Sequence, residues 1–135
     1  MASSTQYVLI VGLLGLMLAF VSLTTVIGQL REQIRDFLYS SSYMITEIAA
    51  TTMNNVIAFP EDSVSVVHLP HGFECTVQFR ENYIETKSKF GTTESYYGLF
   101  LLGKIEGLNR DVRCKDSTKV IITKTAGKIS VEGAS

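Results

Sequence analysis

No proline interrupts the chain before Pro60, and no charged side chain occurs before Arg31. Few structures accommodate such a run, because proline is the strongest helix breaker and charge is what keeps a helix in water. From Tyr7 to Ile27 the residues are dominated by Val, Leu, Ile, Met and Phe. At about 1.5 Å per residue this stretch spans roughly 30 Å, the thickness of a bilayer's hydrocarbon core. A secretory signal peptide has a shorter apolar core preceded by basic residues, and nothing basic precedes this one. The segment is expected to be a transmembrane helix.

After Gly28 the pattern changes without a break. Leu30, Ile34, Phe37, Leu38, Ser41, Met44, Ile45, Ile48, Ala49, Thr52, Met53, Val56 and Ile57 recur at three- and four-residue intervals, the spacing of one helical face. Arg31, Glu32, Arg35, Asp36, Ser40, Thr46, Glu47 and Asn54 form the other face. Pro60 ends the run, since proline disfavours helical geometry in the residue before it. A helix continuous from about Ser4 to Ala58 would be roughly 80 Å long. That exceeds what the remaining chain can cover, so the surplus is expected to bury itself in lipid first and elsewhere afterwards.

The remainder reads differently. Residues 60–135 hold ten basic and ten acidic side chains, the balance of an ordinary soluble surface and not the basic bias that nucleic-acid binding requires. Seven short runs alternate in polarity: SVSVVHL, FECTVQF, NYIETKSKF, SYYGLFLL, DVRCKD, TKVIITKT and KISVEG. Turn material divides them, including Pro70-His71-Gly72, Gly91-Thr92, Gly103-Lys104 and Ala126-Gly127. The fold class expected is α+β: a long N-terminal helix over 1–59 (apolar 1–28, amphipathic 29–59) and a small antiparallel β-sandwich or barrel over 60–135.

Cys75 and Cys114 both lie in the strand-like half. They lack the four closely spaced ligands of a structural zinc site and the Cys-x-x-Cys of a redox pair. A disulfide is favoured over two free thiols; it would contribute about 3–4 kcal/mol to a small domain and implies an oxidising, extracytoplasmic location. His68 and His71 are the only histidines; on a strand and turn they point apart, and turn or surface roles are expected of them. No phosphate loop, nucleophile elbow or spaced carboxylate pair is present. No catalytic residue, metal, cofactor or small-molecule substrate is expected. Ser40-Ser41-Ser42 is read as the passage from lipid-like to aqueous surroundings. Tyr39, Tyr43, Tyr96 and Tyr97 suit subunit contact or core packing equally.

Gly12, Gly15 and Gly28 would each cost about 1 kcal/mol in an isolated aqueous helix, whereas in lipid small residues let helices approach closely. Arg31 and Arg35, the only basic residues near the span, follow it, which by itself would place the cysteines in the cytoplasm. A chain whose basic leader is removed after insertion, as in prepilins, reconciles the two cues, although Met1 can equally be an initiator.

An apolar helix of this length that runs into an amphipathic half and then a compact β domain resembles a type IV pilin. The lack of charge before Arg31 and of proline before Pro60 is more similar to the archaeal branch. VHLPHGFECTVQF is similar to a strand–turn–strand pattern of small archaeal pilin-like proteins, and KVIITKTAGKISVEG to their terminal hairpin. Where bacterial pilins carry a glutamate near the mature N-terminus, this chain has Gln6, which can hydrogen-bond a neighbour's terminal amine but cannot form an ion pair.

The resemblance implies an extracellular filament with helices in its core and β domains outside, used for adhesion or, in an archaellum, for swimming. Its partners would be copies of itself, with the membrane as host before assembly. The residues expected to pack between copies are Gln6, Leu9, Gly12, Leu13, Gly15, Leu16, Phe20, Leu23, Ile27, Leu30, Ile34, Phe37, Leu38, Met44, Ile45, Ile48, Met53 and Val56. The alternative is a membrane-anchored accessory protein, a minor pilin or an archaellum-associated Ig-like component.

Overall fold

The computed structural model describes residues 4–135. One helix, α1 (Ser4–Ala58), precedes seven strands: β1 (Ser63–His68), β2 (Glu74–Arg80), β3 (Tyr83–Phe90), β4 (Thr93–Phe100), β5 (Asn109–Arg113), β6 (Lys119–Thr125) and β7 (Lys128–Ala134). The fold is α+β. The helix stops two residues before Pro60, as the steric restriction on pre-proline residues requires. Each strand coincides with one of the alternating runs.

All strand pairs are antiparallel, and they form two sheets of order β1-β6-β7 and β4-β3-β2-β5. Neither sheet closes into a barrel, so that alternative is set aside. Two tight hairpins fix the registers. Between β3 and β4, Phe90 pairs with Thr93 around Gly91, whose φ of +61° at the first turn position calls for glycine. Between β6 and β7, Thr125 pairs with Lys128 around Ala126 (φ +52°) and Gly127 (φ +80°). Both central residues are left-handed there, the requirement of a type I′ turn. The Asp62 carboxylate accepts a hydrogen bond from the Ala126 amide at 3.0 Å and helps hold this strained corner.

By its contacts the chain separates into two compact units, one ending at Ile34 and the other spanning Arg35–Ser135. The boundary expected after residue 59 thus falls inside the helix, because the C-terminal half of α1 supplies a face of the β domain's own core. That core joins Ile45, Ala49, Met53 and Val56 of α1 to Val77 and Phe79 of β2, Ile84 of β3, Val112 of β5, Val120 and Ile122 of β6 and Val131 of β7. Burying each large aliphatic or aromatic side chain stabilises by about 1.5–3 kcal/mol.

Cys75 and Cys114 are joined by a disulfide with a Cα–Cα separation of 5.1 Å. The Cys114 amide donates to the Cys75 carbonyl at 2.9 Å, so the bridge links chain segments that already run side by side beyond the β2–β5 ladder.

Candidate assembly surface

In the first unit, every described side chain from Ser4 to Gln33 is exposed. The helix is long and apolar enough to cross a membrane, with a mean hydropathy of 2.5 over its best window. Hydroxyls in this stretch turn back on the helix itself: Thr24 donates to the Val21 carbonyl at 2.9 Å and Thr25 to the same carbonyl at 2.8 Å. That arrangement leaves fewer donors needing water, which suits an apolar medium. A side chain grown at Gly12, Gly15 or Gly28 would meet nothing within 4 Å. Gln6, Leu9, Gly12, Leu13, Gly15, Leu16, Phe20, Leu23, Ile27 and Leu30 all stand on this uncovered helix, and Ile34 is half-buried.

In the second unit, the helix carries two apolar stripes and not one. Leu38, Ser42, Ile45, Thr46, Ala49, Ala50, Met53 and Val56 are buried. Phe37, Met44 and Ile48 lie one residue out of step, rotated by about 100°, and are 58%, 60% and 50% exposed. This corrects the expected set of contacts between copies. Leu38, Ile45, Met53 and Val56 are consumed by the chain's own core, whereas Phe37, Met44 and Ile48 remain available.

Small hydroxyls decide which stripe goes inward. Ser42 donates to the Ser88 hydroxyl on β3 at 2.7 Å, and Thr46 donates to the Tyr97 carbonyl on β4 at 3.1 Å. With Ala49 and Ala50 they form a low ridge that lets helix and sheet approach, and both of these helix hydroxyls are paired, as burial demands. Thr46, expected on the solvated face, is wholly buried for this reason. Asn54 accepts from the Leu102 amide at 3.0 Å. The Lys124 ammonium on β6 donates to the carbonyls of Val56 (3.1 Å) and Phe59 at the helix C-terminus. The last turn has no basic residue of its own, so this lysine supplies the positive charge that the helix dipole favours there. Sequence reasoning missed Lys124, because 68 residues separate donor and acceptor.

Beside the exposed stripe lies a groove of about 320 Å³, lined by Ser41, Met44, Ile45 and Ile48 of α1 with Val67, His68, Leu69 and Pro70 at the end of β1. No carboxylate, lysine or arginine is among them. Val67, Leu69 and Pro70 were not recognised from sequence as site residues; the apolar run VVHLP was their only signal.

Aromatic rings flank the same stretch of helix. Phe37 meets Phe73 edge-on with centroids 5.6 Å apart, and Tyr39 and Tyr43 both lean edge-on against Tyr97, at 5.9 and 4.9 Å. Hydrogen bonding to the Glu47 carboxylate, reinforced by its charge, raises the Tyr43 phenol pKa. Far from this surface, the Gly107 amide donates to the Glu81 carboxylate at 3.1 Å and Lys104 stands 3.4 Å from it. Those two partners, the amide foremost, lower the Glu81 pKa.

His68 and His71 are both exposed. Among the described residues no group of three or more His, Cys, Asp or Glu side chains is arranged to hold a metal. What the first unit offers is an uncovered apolar helix; what the second offers is an exposed apolar stripe and, beside it, a mostly apolar groove whose one ionisable side chain is His68. Compared with protein-family models, curated proteins and solved structures, the chain has no match.

Proposed function

We propose that the chain is the structural subunit of an extracellular filament of the archaeal type IV pilus kind, held in the membrane before assembly and polymerised by packing of its N-terminal helix. One observation carries this reading: apolar exposure does not end where a bilayer would end. A membrane accounts for Tyr7–Ile27, whose length matches the hydrocarbon core. It does not account for Phe37, Met44 and Ile48, which belong to the second unit and are at least half exposed. A contiguous apolar face on a soluble domain marks an interaction surface. Copies that shelter one another's helices through contacts that do not close into a ring form a thread. The disulfide fits assembly in an oxidising, extracytoplasmic space.

The same reading leaves the β domain as the filament's outer surface, the part able to attach to other surfaces. Electron microscopy of sheared surface appendages, with mass spectrometry of their subunits, tests it. Thin filaments composed of this chain are expected. A chain found only as single copies in the membrane fraction would favour the anchored accessory protein instead.

A further inference from the structure

Resting on the filament reading, we infer that the groove between the exposed stripe of α1 and the end of β1 is the receptor for the apolar N-terminal helix of a second copy. Helix then meets β domain in the polymer, in addition to meeting other helices. Met44 and Ile48 form one wall, and Val67, Leu69 and Pro70 the other.

Charge identifies the occupant. A cationic partner entering here would lose hydration and find no carboxylate, and an anionic one would find no lysine or arginine, only the His68 imidazole. Residues 60–135 bear 20 charges in all, with Phe100 and Leu102 the most exposed apolar side chains among them, so a second β domain would bring charge to this groove beside those two. Residues 4–30 bear none and stand uncovered along their length. Gly12 and Gly15 lie one turn apart on that helix with open space over each, which allows a neighbouring surface to come close to the backbone. The groove's size and apolar walls suit a few aliphatic side chains, such as a helix presents along one face.

Photo-cross-linking within assembled filaments tests the assignment. Met44→benzoylphenylalanine, in cells that also make isotopically labelled wild-type chain, is expected to yield cross-links joining two copies, with the acceptor peptide inside residues 4–30. Cross-links confined to β-domain peptides, or to lipid in intact filaments, would overturn it while leaving the filament reading in place. If the Met44 variant does not assemble, Ser41→benzoylphenylalanine probes the same groove from its rim under the same criteria. Filaments absent from the wild-type cells themselves would instead defeat the reading on which the inference rests.

Discussion

The ammonium of Lys124, near the C-terminal end of β6, donates to the main-chain carbonyl of Val56 at 3.1 Å and so closes the C-terminal end of α1 from another element of the fold. The same group reaches the Phe59 carbonyl. The junction between helix and β domain is thereby held by a charge-assisted bond, in addition to the apolar contacts around it.

Lys124→Met keeps much of the side chain's apolar volume but strands those carbonyls. A loss of about 1.5–3 kcal/mol in unfolding free energy is expected, from the cost of removing a charged hydrogen-bond partner. Denaturant titration of the full chain in detergent micelles measures it; an unchanged midpoint would show the bond to be dispensable.

Replacing both Cys75 and Cys114 with alanine removes a cross-link spanning 39 residues. The loop-closure relation assigns such a bridge about 3–4 kcal/mol. Unfolding of the double variant should match that of the reduced wild-type chain. If reduction leaves the wild-type midpoint unmoved, the bridge is not a stabilising element.

Ala126 holds a φ of +52° without the side chain or the freedom that eases this conformation. Ala126→Asn creates the Asn-Gly pair that type I′ turns prefer, and the Asp62 acceptor is untouched. A gain of roughly 0.5–1 kcal/mol is expected, since left-handed geometry costs an ordinary residue about 1–2 kcal/mol. A lower thermal midpoint would contradict the turn assignment.

The lowered pKa of Glu81 predicts a specific acid response. A carboxyl group depressed in the folded state stabilises it above the unfolded group's pKa, and that contribution is lost as pH falls through the folded value. Protection of the Gly107 amide from hydrogen exchange, corrected for intrinsic rates, should therefore persist at neutral pH and decline in acid below the ordinary carboxylate range. In Glu81→Gln the acid-dependent part of that decline should vanish. Equal acid sensitivity in both chains would assign it elsewhere.

Much of this architecture was legible in the sequence, and the exceptions share a cause. Pro60 and the uninterrupted apolar periodicity marked α1, and alternation between turn residues marked every strand, because those signals act within a few residues. The choice between sheets and a barrel was not legible, since strand order depends on partners far along the chain. The identity of the inward stripe was hidden for the same reason. Periodicity shows that 37–57 has an apolar side, but only Ser88 and Tyr97, supplied by β3 and β4, turn Ser42 and Thr46 inward and leave Met44 and Ile48 outside. The candidate surfaces were thus half legible: the apolar helix of the first unit by composition, the exposed stripe of the second only from the structure.

The two stripes give the most direct test of the account. Leu38 is wholly buried and Ile48 is half exposed. Leu38→Ala should cost about 2–5 kcal/mol by leaving a cavity. Ile48→Lys should leave the unfolding free energy within about 0.5 kcal/mol of wild type, as surface changes do. The decisive measurement is the number of filaments on cells producing Ile48→Lys, counted beside wild type by electron microscopy. The account predicts a fall of at least about tenfold with the β domain intact, because a lysine would have to shed its water inside the polymer. Undiminished filaments of unchanged stability would contradict it.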